Sequence, residues 1–312
     1  MIIVNYFKSN PLIVIILCLF FGVGVFRPEA IYYDNITNIL QQAALIGIVA
    51  TGMTFVIISA GIDLSVGSVM AFSSVYIAGF HEYYDLPVYL SIILTFIICA
   101  LLGAFTGILI CKLKIPPFLA SLGMMGALLG YARLYSDAQP IGLPGMIVEL
   151  WTGKIFYIPI PIIIWFLVVI IAYIFQKYHE YGRSLYAIGN NIEAAHFSGI
   201  NIDKWRIIAY SVNAVLACLV GLLYTARLNS GQSLVGRGFE LIAIAAVCAG
   251  GTNLLGGSGS VLGTVLGAIL IALLGNSLSF LGFSSFYQEI GIGVILVLAV
   301  GFNIAKQEKQ NI

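Results

Sequence analysis

Charge is what this sequence has least of. Asp, Glu, Lys and Arg together make up 9% of its 312 residues, against about 25% in ordinary soluble domains. Hydrophobic residues make up 61%, more than one aqueous core can hide. A soluble globular enzyme is excluded on that balance. The formal net charge of +1 gives no electrostatic basis for holding nucleic acid or another acidic polymer. Histidine is scarce, and His81, His179 and His196 all fall in expected loops. The five cysteines, Cys18, Cys99, Cys111, Cys218 and Cys248, show no paired spacing, so they read as packing residues, and no metal-ligand cluster is visible. Gly256-Gly257-Ser258-Gly259 has the Gly-x-Ser-Gly pattern of a membrane serine protease but no base to activate the serine. A phosphate-cradling G-x-x-x-x-G-K-(S/T) loop is missing too: the sole Gly-Lys pair, Gly153-Lys154, has Val148 where the first glycine belongs. If this chain depends on ATP, another polypeptide hydrolyses it.

What the sequence has is apolar segments. Ten are legible: residues 11–26, 39–59, 66–80, 88–110, 118–131, 158–175, 207–226, 239–249, 261–274 and 286–302. The expectation is an all-α integral membrane protein of about ten transmembrane helices, residues 1–312 forming one transmembrane domain. Several segments are shorter than the ~20 residues that cross hydrocarbon. Short or broken segments are tolerated where their backbone is buried in protein or lines a cavity. The first could be a signal peptide, but Arg27-Pro28-Glu29-Ala30 is a poor cleavage site. Pro116-Pro117 and Pro159/Pro161 punctuate the middle of the chain. Gly61-Ile62-Asp63-Leu64-Ser65-Val66-Gly67 and Gly251-Thr252-Asn253-Leu254-Leu255-Gly256-Gly257 share a Gly-x-(Asp/Asn)-Leu-x-x-Gly pattern. Chance in a chain with 34 glycines and symmetry between transporter halves explain that echo equally well.

The longest polar interval, residues 176–206, carries about a quarter of the charged residues. Asn190-Asn191 precedes Ile192-Glu193-Ala194-Ala195-His196-Phe197, and Ser198-Gly199 follows. Asparagine caps helix starts and glycine ends helices, so the pattern predicts a helix of about two turns on a membrane surface. With ten spans both termini share one side. Placing that side in the cytoplasm puts nine of the 14 basic residues inside, including Lys8, Lys112, Lys114, Lys177, Arg183, Lys306 and Lys309.

Gly182-Arg183-Ser184-Leu185-Tyr186-Ala187-Ile188-Gly189-Asn190-Asn191, with Glu193-Ala194-Ala195 and Ser198-Gly199-Ile200 after it, resembles the cytoplasmic loop of ribose-type permeases, the membrane subunits of bacterial ATP-binding-cassette sugar importers. Residues 61–68, Ala245-Ala246-Val247 with Gly250-Gly251-Thr252, and Ser284-Ser285-Phe286-Tyr287-Gln288 resemble the same family, over about residues 40–305 in all. The resemblance implies a permease subunit importing a monosaccharide or similar solute across the bacterial plasma (inner) membrane by alternating access. It implies a second permease chain, identical or paralogous, cytoplasmic ATPase subunits and an extracytoplasmic sugar-binding protein as partners, with no cofactor. It also implies that Arg183, Asn190, Glu193, Ala194, Ala195, His196, Phe197 and Gly199 couple the chain to the ATPase. A secondary transporter driven by an ion gradient is the alternative, and Asp63 is its one plausible coupling acid.

Four residues are candidates for the translocation pathway or gate: Asp63, Ser65, Asn253 and Asn276. Each has a plainer alternative. Asp63 and Ser65 suit a helix start, where Asp63 would accept backbone N–H groups. Asn253 and Asn276 suit hydrogen bonding between helices. Glu240 is expected at the interface rather than deep.

Overall fold

The computed structural model describes residues 11–143, 145–284, 286–295, 297 and 301. Lys8, Lys306, Lys309, the end of the last expected span and the expected placement of both termini lie outside them. All ten apolar segments form helices where described, apart from Ser59, which is a turn, and Ile158–Pro159, which pair as a short strand. They are α1 (Pro11–Phe26), α2 (Tyr33–Ile58), α3 (Val66–Tyr84), α4 (Val88–Lys112), α5 (Pro117–Tyr135), α7 (Ile160–Tyr178), α10 (Ile202–Leu228), α11 (Phe239–Ala249), α12 (Val261–Phe280) and α13 (residues 286–295). Between them lie α6 (Glu149–Thr152), α8 (Glu180–Asn190), α9 (Ile192–Phe197) and two minimal two-stranded pairings. Among the described residues six helices, α2, α4, α5, α7, α10 and α12, are long and apolar enough to cross a membrane. At 1.5 Å per residue, the 11 residues of α11 reach only about 16 Å, half of the ~30 Å hydrocarbon.

Several helices run further than apolarity alone predicts, because polar residues cap or continue them. α2 begins at Tyr33 with Asp34 in its first turn, where a carboxylate favours the positive end of the helix dipole. α10 begins at Ile202 because Asn201 Oδ1 accepts Lys204 N at 3.0 Å, so Asp203, Lys204 and Arg206 are helical. α3 and α10 end on Asp85 and Asn229 in left-handed conformation (φ 52° in both), the αL closure that short polar side chains tolerate.

α2 is the central post, buried from Ala43 to Ile58. α7, α10, α11 and α12 surround it, and α3 and α4 pack on α10 from farther out. Water is not available to sort these helices, so small residues and hydroxyls position them. Gly103 and Gly107 of α4 meet the α10 backbone at Tyr210, Ser211 and Ile207 with no room for a Cβ. Thr54 and Thr264 share a 2.7 Å hydrogen bond between α2 and α12, and Thr225 Oγ1 donates to Ser74 Oγ at 2.7 Å between α10 and α3. Asn35 and Asn276 exchange amide hydrogen bonds at 3.1 and 2.7 Å, and Asn35 also donates to Ala30 O. Asn276 therefore ties two helices together.

That pair generates a prediction. Asn276→Leu strands a buried amide on Asn35, which costs about 1–3 kcal/mol. The thermal midpoint in detergent should fall for Asn276→Leu and partly recover for Asn35→Leu/Asn276→Leu. A double variant as unstable as the sum of the singles would contradict the pairing.

Candidate functional site

Past α7, His179 Nδ1 accepts Tyr181 N at 3.1 Å and opens α8. Tyr181, Leu185 and Ile188, spaced i, i+4 and i+7, are buried against Phe55, Trp205 and Tyr210, so one face of α8 lies on the bundle. The chain turns at Asn191, whose Oδ1 accepts Ala194 N at 3.0 Å and caps α9. α9 ends at Gly199, with φ 78°, a conformation in which a Cβ is strained. Two helices thus stand where the sequence predicts one: the apolar spacing of α8 was hidden between Glu180, Arg183 and Asn190, but it is the signal that would have found it.

The expected coupling residues divide by direction. Glu193, Ala194, His196 and Phe197 are exposed, Phe197 at 88%. Glu193, His196 and Phe197, with Ile192 and Ile202, border an open hollow of about 440 Å³. Ala195 faces the other way: it is 3% exposed and belongs to the cluster under α8. In this arrangement it seats the helix, while its neighbour Ala194 stays open. Arg183 Nη1 donates to Tyr178 O at 3.2 Å and is exposed. Asn190 is exposed but not free: its Nδ2 donates to Tyr186 O at 2.9 Å and to Gly257 O at 3.2 Å.

That last bond leads to the two glycine-rich loops, residues 59–65 and 250–260, which the fold brings together. Gly257 N donates to Ile58 O at 2.9 Å. Gly189 of α8 closes over this bond, so near to Ile58 O and Gly257 N that no Cβ fits. Tyr186 Oη donates to Gly259 O at 2.6 Å. Burial pushes the Tyr186 phenol above its ordinary value, so it donates over an even wider range of alkaline pH than a free phenol. From the other side Gln176 Oε1 accepts Val261 N at 3.1 Å, and Arg206 Nη2 donates to Ser59 O at 2.9 Å. The sequence echo between the two loops is therefore also a contact.

Asp63 sits inside the first loop, 2% exposed. Its Oδ1 accepts Ser65 N at 2.9 Å and Ser65 Oγ at 2.6 Å, and its Oδ2 accepts Asn213 Nδ2 at 2.9 Å. Ser65 is the residue that caps α3 by position, without a side-chain bond to the helix. Asp63 thus closes the turn ahead of α3 and also ties that turn to α10. Tyr210 Oη and Ser121 Oγ hold Ile62 O at 3.2 and 3.3 Å. Asn213, Tyr210 and Ser121 are functional neighbours that sequence reasoning missed; nothing in their local pattern marks them. Asn253 works within its own loop, Oδ1 accepting Leu255 N at 3.1 Å and Nδ2 donating to Gly256 O at 3.2 Å. Asn276 lies elsewhere, in the outer reach of α12. Glu240, expected at the interface, is half-buried beside Gly67 and lines a cavity of about 190 Å³ with Arg133 and Arg237.

A family model described as "Branched-chain amino acid transport system / permease component" matches residues 35–300. The chain belongs to this permease family. It is 41% identical to the ribose import permease protein RbsC of Haemophilus influenzae, covering 89% of this permease and 87% of that protein. It is 40% identical to RbsC of Bacillus subtilis, covering 89% and 87%, and 33% identical to the xylose transport system permease protein XylH of Haemophilus influenzae, covering 88% and 90%. No solved structure matches this permease. The matched residues contain α8, α9 and both glycine-rich loops, so the permease is a transport component whose family likeness includes the site.

The geometry around Asp63 makes a testable distinction. In Asp63→Asn the side-chain oxygen keeps both Ser65 donors, and Asn213, whose Oδ1 has no partner among the described residues, turns its amide to accept the new Nδ2. Thermal stability in detergent should drop by no more than about 1 kcal/mol, and transport per assembled complex should stay near wild type. Asp63→Leu leaves the Ser65 and Asn213 donors unmet and should cost several-fold more. Full loss of transport by a well-assembled Asp63→Asn variant would mark Asp63 as a coupling acid instead.

Proposed function

We propose that this permease carries a pentose or closely related sugar inward across the bacterial plasma membrane, powered by a separate ATPase that docks on α9. The observation that carries this reading is the direction of α9. Its inner face is fixed by Ala195, and its outer face presents Glu193, His196 and Phe197, which are exposed among the described residues. A bare aromatic beside an acid on a braced helix suits a partner's cleft, since aromatic anchors dominate protein interfaces. Relatives that are ribose and xylose permeases over most of their length favour a sugar as cargo. The family description names branched-chain amino acids, but it spans a broader group than the relatives at 33–41% identity.

In this reading α9 and both termini face the cytoplasm. Two permease chains, identical or paralogous, enclose the pathway, and a sugar-binding protein delivers cargo at the opposite face. ATP closure of the ATPases favours one conformation of the permease by differential binding, which is all a population shift requires. The push enters at α9, passes through α8 and reaches residues 59–65 and 250–260. An ion-coupled transporter is disfavoured, because both Asp63 oxygens are engaged and no second acid faces it across the contacts that hold it.

Two results follow. Cells carrying the complete importer should take up ribose or xylose and not leucine; leucine uptake alone would overturn the cargo assignment. Phe197→Ala should weaken ATPase co-purification about tenfold, as loss of an interface anchor does, with normal membrane insertion. Wild-type capture and turnover by Phe197→Ala and Glu193→Lys together would remove α9 from the coupling route.

A further inference from the structure

The end of the bundle opposite α9 holds a second feature. α2, α10, α11, α12 and α13 enclose a cavity of about 310 Å³, within the range of small-molecule sites. Its floor is aliphatic, but polar groups converge on it from four of these helices: Gln42 on α2, Tyr224 and Arg227 on α10, Gln288 on α13, and the bare backbone of Gly275 on α12. Tyr224 is steadied edge-on by Phe239 at 5.8 Å and 90°.

The hydrogen-bonding groups are only partly used. Gln42 Nε2 donates to Asn38 Oδ1 at 3.2 Å and Gln288 Nε2 to Ser279 Oγ at 2.9 Å. These bonds fix the two amides, and each leaves its carbonyl oxygen without a partner among the described residues. Arg227 has no carboxylate or carbonyl partner there either. It lies instead against two aromatic faces, 5.0 Å from Trp151 and 5.9 Å from Tyr224, contacts that hold a guanidinium in place while leaving its in-plane donors available. The cavity thus offers fixed acceptors, fixed donors and an aromatic edge over an aliphatic floor. No acid lines it.

We infer that this cavity is a contact site for a neutral polyhydroxylated solute, where the permease itself reads hydroxyl groups before the solute passes on. Neighbouring hydroxyls both donate and accept, so they match the amide oxygens and the guanidinium together, and the C–H faces of a sugar suit the aliphatic floor. A free amino acid matches poorly, because its ammonium finds no counter-charge among the lining residues. The inference rests on the sugar reading above and adds to it: selection is then shared by the permease and is not left to the delivering protein alone.

The test is a ratio. Uptake of D-ribose is measured against 2-deoxy- and 5-deoxy-D-ribose in cells bearing the complete importer, with Gln42→Leu, Gln288→Leu or wild-type permease. The delivering protein is the same throughout, so a changed ratio belongs to the permease. A site that hydrogen-bonds a hydroxyl penalises its absence. Each variant should therefore lower the preference for ribose over at least one deoxy sugar about fivefold, the worth of one hydrogen bond. Arg227 is exposed, so Arg227→Gln makes the same test if a leucine variant fails to assemble. Wild-type ratios in every assembled variant overturn this site and leave the sugar reading intact. Failure of wild type to import a pentose overturns both.

Discussion

The hydrogen bond from Gly257 N to Ile58 O joins two interruptions in otherwise helical chain, and the rest of the site depends on it. Each interruption frees backbone groups that lipid cannot satisfy. Here they satisfy one another and the side chains that reach them from α7, α8 and α10. Gly189 is required because α8 must lie flat on this junction with no Cβ between. The consequence is mechanical. Residues 59–65 lead into α3 and residues 250–260 into α12, so the junction under α8 holds the two segments that open these helices.

The division of labour along α8 and α9 follows from the same constraint. α8 spends Tyr181, Leu185 and Ile188 on the bundle and Tyr186 and Asn190 on the second loop. On the short α9, by contrast, Glu193, Ala194, His196 and Phe197 all face outward. Ala195 shows how tightly this is drawn: a residue next to exposed Ala194 is nearly inaccessible, because one face of a six-residue helix must rest on the core. The uncovered face and the braced face of the same element make it suitable for transmitting force.

Much of this was legible beforehand, and the reasons for the rest are physical. All ten apolar segments were visible, since the pattern that hides a helix from water also marks it in sequence. Asn191 and Gly199 gave the ends of α9, because capping is a local rule. The true starts of α2 and α10 were obscured by Asp34 and by Asp203-Lys204-Trp205-Arg206, which are helical at the membrane edge where polarity no longer signals a break. Partnerships across long sequence distances were out of reach. Asp63 with Asn213, Asn35 with Asn276 and Tyr186 with Gly259 join residues that no local pattern connects. The direction of Ala195 was likewise set by packing, not by its neighbours in sequence.

The central claim is that α8 passes motion to the glycine-rich loops through Tyr186 and Asn190. The most direct measurement is sugar moved per ATP hydrolysed in proteoliposomes carrying the complete importer with Tyr186→Phe/Asn190→Ala permease. Both substitutions leave the exposed face of α9 untouched; they remove the side-chain bonds to Gly259 O and Gly257 O, together with the bond from Asn190 to Tyr186 O within α8. The account predicts normal ATPase binding and continued hydrolysis, with the sugar-to-ATP ratio falling several-fold. A wild-type ratio in the double variant would contradict it.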